Sequence, residues 1–395
     1  MSGEKTAHRA KPLAGLRVLD LTRLLPGPVA TRHLADLGAD VVKIEDTGEG
    51  DYARTMGARP GETSTLFKLL NRNKRALRLD LKRPEGVAVL RRLTLSADVL
   101  VEGFRPGVMD RLGLGYETLS ALNPRLVFCS ISGYGRDGPY ARRAGHDSNY
   151  IGYAGVLDQI GAADGPPAVP NFQIGDLLGG ALAPLVGLLA AVIDARATGR
   201  GRHVDVAMAD AVFAHAFFPL AGLLADQAPP RRGAALLSGG VPCYGVYATA
   251  DGRHMAVGAL EKKFWERLCD TLDRPDLKPF HLAFGAKGEQ AKRELAAVFA
   301  SRPQSHWVGI FDKADCCVTP VLHIGEALDN EQLRARAMVV EADGIPQPAP
   351  PYKLSEFDFA IERGAPAPGQ HSEEILREAG YAAEDIERLR QQGII

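Results

Sequence analysis

Cysteine is sparse and scattered in this chain. Cys129, Cys243, Cys269, Cys316 and Cys317 are odd in number and form no Cys-x-x-Cys or Cys/His ligand spacing. That pattern argues against a disulfide scaffold or a zinc site and for a reduced, cytoplasmic protein. Excess charge of either sign is also missing, because Lys+Arg 47 against Asp+Glu 48 leaves a formal net charge of −1. Neither nucleic acid nor a membrane is therefore expected as a partner, and a phosphate-bearing ligand has to be held by local cations. Residues 1–11 are polar and basic without an apolar run, so no secretory signal is expected. The stretch 177–193 carries no charge and nears the lower limit for crossing a bilayer. Gly179, Gly180, Pro184 and Gly187 interrupt it, and a buried core helix is the expectation. No GxGxxG follows the first strand-like run and no Walker A motif is present, so the usual dinucleotide and P-loop fingerprints are lacking.

What is present is a globular composition, 46% hydrophobic and 24% charged, over 395 residues, long enough that two domains are expected. Strand patterns at 16–21, 40–44, 98–101 and 126–131 alternate with helical ones at 28–37 and 84–97. In the latter helix Val87, Leu90, Leu93 and Ala97 share one face. Short apolar strands separated by helices imply a doubly wound α/β layer, a Rossmann-like parallel sheet with both faces covered. From 176 to about 225 the chain reads as helical and apolar, broken by Thr198-Gly199-Arg200-Gly201-Arg202 and a short strand at 203–206. Pro229-Pro230-Arg231-Arg232-Gly233 reads as linker. A hairpin pattern follows, 243–249 and 254–257 around Asp251-Gly252, with helices after it, as in a smaller α+β domain. The expected organisation is a large domain over 1–207, a linker at 208–237, a small domain over 238–325, and a return to the large domain over 326–395.

Three acid–base residues draw attention. His146 and Asp176 are the two residue types needed to remove a proton from one face of a carbon and return it on the other. His146 stands just ahead of a helical pattern starting near Asp147, where the positive end of the helix dipole favours a neutral imidazole able to act as a base. Asp176 opens the long apolar helix. Gly175, Gly179 and Gly180 around it permit close approach of a ligand to backbone, and free N–H groups at the helix start could hold a developing enolate oxygen. Glu261 lies between the apolar run 255–260 and a helical run with Phe264, Trp265 and Leu268. Helix capping accounts for each of these residues taken singly. Lys74, Arg75, Arg105 and Arg111 are loop cations that together could bind phosphates.

Several segments carry a resemblance: Leu16-Arg17-Val18-Leu19-Asp20-Leu21, Gly38-Ala39-Asp40-Val41-Val42-Lys43-Ile44-Glu45, Asn73-Lys74-Arg75, Phe104-Arg105-Pro106-Gly107-Val108, Gly133-Tyr134-Gly135 and Thr198-Gly199-Arg200-Gly201. In combination they resemble the class III CoA-transferase (CaiB/BaiF) superfamily from about residue 12 onward. Gly145-His146-Asp147-Ser148-Asn149-Tyr150, Gly239-Gly240-Val241-Pro242-Cys243-Tyr244 and Val257-Gly258-Ala259-Leu260-Glu261 are similar to the corresponding segments of its racemase branch. The resemblance implies racemisation at C2 of 2-methyl-branched acyl-CoA thioesters through an enolate, with His146 and Asp176 as bases on opposite faces and Glu261 tuning His146. It implies CoA contacts from Lys74, Arg75, Gly103, Arg105, Arg111 and Gly145, with neither metal nor redox cofactor. It also implies an interlocked homodimer in which Glu261 comes from the other subunit. The transferase branch implies an alternative, in which Asp176 is a nucleophile forming an aspartyl-CoA thioester. The superfamily commonly has Arg-Pro after Ile-Glu; Asp46-Thr47 stands there instead, so the contacts to CoA phosphate are expected to be rearranged.

Overall fold

The computed structural model describes residues 10–59, 61 and 63–395. Six parallel strands form the main sheet: β1 (Arg17–Leu21), β2 (Asp40–Glu45), β3 (Arg75–Arg78), β4 (Val99–Glu102), β5 (Val127–Ser132) and β6 (His203–Ala207). Their order is β3-β2-β1-β4-β5-β6. Val18 pairs with Val41 on one side and Val99 on the other. Strand order therefore reverses between β1 and β4, and at such a switch point the crevice outside the carboxyl ends of the strands is open to a ligand.

Period-two alternation divides the strand residues between two cores. Leu19, Leu21, Val42, Ile44, Leu100 and Phe128 meet Leu90 and Leu93 of the helix Pro84–Thr94, together with Ile375, Leu376, Ile386 and Leu389 from the C-terminal helices. Val18, Val41, Val99, Val101 and Val127 meet Leu185, Leu188 and Val192 on the other face. The C-terminal segment is tied to the edge strand β3 and the loop after it: the His371 N–H donates to the Ala76 carbonyl at 3.0 Å, and the Asp80 N–H to that of Ile394 at 2.9 Å. β3 escaped the sequence reading because Arg75-Ala76-Leu77-Arg78 looks like charged loop. As an edge strand it needs little apolar patterning, and ion pairs hold Arg75.

Contacts divide the chain into two compact units. The larger takes in the chain up to Ala154, Phe172–His215 and Glu331–Ile395; the smaller is Gly155–Asn171 with Ala216–Asn330. The 155–171 segment, expected with the large domain, thus belongs to the smaller unit. Its attachment is ionic: Arg232 meets Asp158 at 2.9 Å and the Gly165 carbonyl at 2.8 Å, while Arg231 meets Asp164 at 2.8 Å. The stretch expected as linker contains the helix Phe217–Asp226. The smaller unit is a three-stranded antiparallel sheet, β7 (Tyr244–Ala248), β8 (His254–Gly258) and β9 (Val318–Pro320), packed against Trp265, Leu268, Phe299, Trp307 and Phe311.

The apolar helix is not wholly buried, as the sequence suggested. Gly175–Leu182 winds as a π-helix and continues as the α-helix Ala183–Thr198. By length and composition alone the combined helix could cross a membrane. Leu188 and Val192 are in the core, but Val186 is 71% and Ile193 70% exposed, so an apolar face is left uncovered in the single chain.

Charges are buried within the larger unit. Lys74 pairs with Asp20 at 3.0 Å, Lys43 with Asp51 at 2.7 Å and Arg72 with Asp36 at 2.7 Å, all six side chains fully enclosed. Burial opposes ionisation of Asp20, but the charges of Lys74 and Lys43 and hydrogen bonds from Thr22 and Thr31 hold its carboxyl well below the usual range. Removing one member strands the other. Lys74→Met is expected to lower unfolding free energy by about 3–5 kcal/mol, measured by urea titration. Arg83→Ala, which breaks a surface pair with Glu85, should cost less than about 1 kcal/mol.

Candidate active site

Loops leaving β1, β4 and β5 enclose a cavity of roughly 460 Å³ at the switch point. After β1 it is walled by Thr22, Arg23 and Gly27; after β4 by Gly103, Phe104 and Arg105; after β5 by Ser132, Gly133 and Tyr134, and then by Gly145, His146 and Tyr150. Glu102 fixes the β4 exit. Its carboxylate accepts the Phe104 N–H at 2.8 Å, and burial pushes its pKa up to about 7.

His146 is the N-cap of the helix Asp147–Tyr153, in extended backbone (φ −132, ψ 179). Its N–H donates to Asn149 Oδ1 at 3.0 Å, so the local cap fixes the residue while its exposed side chain forms part of the cavity wall. Gly145 before it has to be glycine: a Cβ there would lie 2.8 Å from both the Tyr134 hydroxyl and the Tyr150 ring. The Tyr150 hydroxyl donates to the Gly145 carbonyl. Burial, then the charge of Asp176, pushes this phenol up to about 12, so it stays neutral.

Asp176 stands in the first turn of the π-helical segment, a geometry that recurs at functional sites. Its N–H donates to Asp147 Oδ1 at 3.0 Å. Burial, and then the negative charge of Asp147, raise its carboxyl to about 6, while His146 pulls the other way. His146 and Asp176 are thus close enough to feel each other's charge; His146 is on the cavity wall, whereas Asp176 is not a wall residue.

Two expectations about backbone require correction. The helix-start N–H groups read as free for an enolate oxygen are engaged, that of Asp176 by Asp147 and that of Leu177 by the Gln173 carbonyl at 2.9 Å. The glycines serve packing within the protein. A Cβ on Gly179 would lie 2.7 Å from Met208 backbone, one on Gly180 2.3 Å from Pro26, and one on Gly175 3.1 Å from Asp147 Oδ1.

Of the residues read as CoA contacts, Gly103, Arg105 and Gly145 line the cavity. Lys74 is enclosed among Asp20, the Pro28 carbonyl and Asn71; burial lowers its pKa to about 8 despite Asp20. Arg75, at the amino end of β3, is held by Asp40, Glu374 and Glu378. Both cations are consumed inside the fold and stand apart from the cavity. Arg111 is exposed in the short helix Val108–Arg111 and is not part of the cavity wall. Glu261 belongs to the smaller unit, exposed at the N-cap of the helix Lys262–Thr271, where its carbonyl accepts the Phe264 N–H at 2.9 Å.

Sequence reasoning passed over Arg23 and Tyr150 and took Asp147 only as the start of a helix. For Arg23 the signal was available, a cation two residues beyond the first strand. For Tyr150 the sign was its place four residues beyond the candidate base His146, one helical turn on. The second role of Asp147, binding a backbone N–H from a segment 29 residues away, had no local sign.

A family model described as CoA-transferase family III matches residues 13–372. The chain is 39% identical to α-methylacyl-CoA racemase of Homo sapiens, over 97% of each chain. It is 35% identical to acetyl-CoA:oxalate CoA-transferase of Acetobacter aceti, over 92% of this chain and 95% of that one. A crystal structure of a CAIB/BAIF family protein from Brucella suis superposes with a TM-score of 0.83 at 30% identity, covering 94% of this chain and 100% of the other.

The carboxyl of Asp176 is raised above its unfolded value, so its contribution to stability is fully present below about pH 4 and lost as pH rises through about 6. Asp176→Asn removes that cost. It should stabilise the protein at pH 7.5 by about 1–2 kcal/mol after allowing for solvent screening, with the gain vanishing toward pH 4. Thermal unfolding of both proteins at the two pH values measures it.

Proposed function

The chain belongs to CoA-transferase family III, and on that premise we propose that it epimerises 2-methyl-branched acyl-CoA thioesters at C2. The observation that carries this reading is the placement of His146 on the cavity wall within electrostatic reach of Asp176, whose carboxyl is tuned to about 6. The thioester carbonyl acidifies the adjacent C–H. In one direction neutral His146 takes the α-proton while protonated Asp176 delivers its own to the opposite face, leaving imidazolium and carboxylate. The reverse direction begins from that second state. At the enolate stage both groups are protonated, so the imidazolium supplies positive charge beside the developing oxyanion, and Tyr150 and Arg105 are nearby polar groups. A carboxyl tuned to about 6 gains and loses a proton readily near neutrality, as two-base exchange requires of it. The proposed reaction runs on the chain's own side chains without a resident cofactor.

Arg105, Gly103 and Gly145, already on the cavity wall, are the proposed CoA contacts. A homodimer is part of the proposal. The uncovered apolar face with Val186 and Ile193 supports a second copy as its occupant, with the partner's Glu261 as the carboxylate that orients His146. A second reading, CoA transfer through an aspartyl thioester on Asp176, draws support from the similarity to the Acetobacter enzyme. It assigns no proton transfer to His146.

Incubating one epimer of a 2-methylacyl-CoA in D₂O without an acceptor acid separates the two. Epimerisation is expected with deuterium at C2, and His146→Ala should slow it at least about 100-fold. Transfer of CoA to an added carboxylate without α-exchange, insensitive to His146→Ala, would replace this reading with the transferase.

The active enzyme holds a single proton between His146 and Asp176, so it is lost on adding a proton at low pH and on removing it at high pH. The expected kcat/KM profile is bell-shaped and identical for the two epimers, because both limbs belong to the pair. Epimerisation rates measured from each epimer between pH 5 and 9 provide the check; profiles displaced from each other would be inconsistent with a shared proton.

A further inference from the structure

A second cavity, of roughly 660 Å³, opens at the carboxyl ends of β1, β2 and β3; Arg23 and Phe104 line both it and the first. Its volume suits a nucleoside, and the two cavities adjoin at Arg23 and Phe104. Arg23 is packed in place, its guanidinium 5.3 Å from the centroid of the Tyr52 ring and 5.8 Å from that of Phe104.

Asp46 takes up the donors this cavity offers an anion. Its Oδ2 accepts from the Arg23 guanidinium at 2.7 Å, and its Oδ1 accepts the N–H groups of Gly48 at 2.8 Å and Gly50 at 3.1 Å. Two backbone N–H groups converging with a guanidinium form the donor set that binds a phosphate, and here a side-chain carboxylate of the protein occupies it. The other charges on the wall do not restore the balance: Glu45, Glu49 and Asp80 stand there with Lys82, and Glu45 is paired with Arg54. A phosphate entering this cavity meets a neutralised arginine and like charge.

We infer that Asp46 is a specificity-determining residue that lets this cavity take the nucleotide end of a CoA thioester without drawing on its 3′-phosphate, so that dephospho-CoA thioesters bind as well as CoA thioesters. The inference rests on the acyl-CoA reading above and adds to it which phosphates of the ligand count. Asp46→Asn removes the competing charge while keeping an oxygen for the glycine N–H groups. Asp46→Ala vacates the donors altogether.

Titration calorimetry with CoA and with dephospho-CoA tests it. In the unmodified protein the two dissociation constants should agree within about threefold, and either Asp46 variant should tighten CoA about tenfold while leaving dephospho-CoA within about threefold. Adding Arg23→Met to Asp46→Asn should remove the gain, which assigns it to the freed guanidinium. A tenfold or greater preference of the unmodified protein for CoA, or Asp46 variants that weaken both ligands alike, would overturn the inference and leave the acyl-CoA reading standing. Failure of both ligands to bind, together with no α-deuterium exchange, would overturn the two together.

Discussion

The hydrogen bond from the Asp176 N–H to Asp147 Oδ1 at 3.0 Å is the contact on which the candidate site depends. It joins the helix that His146 caps to the π-helical turn that carries Asp176. The two segments approach closely at Gly175, where a Cβ would lie 3.1 Å from Asp147 Oδ1. Two carboxylates are thereby held near each other at the edge of the interior, and the second-largest cause of the raised Asp176 pKa, after burial, is the charge of Asp147. The same bond removes a backbone N–H that could otherwise have served an oxyanion. Positioning and tuning of this carboxyl therefore come at the expense of a donor, and in the proposed reaction the burden of stabilising an enolate would fall on side chains.

That arrangement needs a firm base, and the switch point of the parallel sheet supplies it. The loops after β1 and β4 diverge there, and buried polar groups pin each of them. Asp20, accepting from Thr22, Thr31 and Lys74, fixes the exit of β1, and Glu102 fixes the exit of β4 through the Phe104 N–H. Enclosed ion pairs are costly to desolvate and bring little net stability over an apolar core. What they bring here is geometry, since Asp20 cannot lose its partners without stranding a charge, so the exit loop is held in one conformation. Lys74, read from the sequence as a ligand contact, serves this purpose.

Much of the fold was legible in the sequence. Val18, Val41, Val99 and Val127 announce parallel strands by their alternation with Leu19, Val42, Leu100 and Phe128, and the helix 84–97 differs from Pro84–Thr94 only at its end. β3 was hidden because an edge strand held by ion pairs does not carry the apolar pattern. The 155–171 segment was misplaced because its attachment runs through Arg231 and Arg232, far along the chain, and ionic tethers leave no periodic trace. At the site, His146 and Asp176 stood out by residue type and by their helix starts. Which cations face the cavity was not legible, because loop basicity alone does not distinguish Arg105 on the cavity wall from the internal Lys74 and Arg75. The three glycines around Asp176 were read as room for a ligand when they are room for Met208, Pro26 and Asp147. A glycine reports only that something comes close, not what.

The scaffold by itself does not choose between the two chemistries considered. An aspartate at the start of a π-helical turn beside a switch-point cavity can attack a thioester as readily as it can hold a proton. A nucleophilic carboxylate needs its ionised form and open access to the thioester. Asp176 has a carboxyl raised to about 6 and a like-charged neighbour, conditions that weaken it as an anion and suit it to exchanging a proton near neutrality. A nucleophile also has no use for a second base in reach, whereas 1,1-proton transfer requires one. His146 is capped into position by Asn149, lines the cavity and adds its charge to the field at Asp176. On the proposed reading the distinction resides in the electrostatic pairing of two side chains, and the wall residue thirty positions upstream of the aspartate is what would turn it from nucleophile to proton carrier.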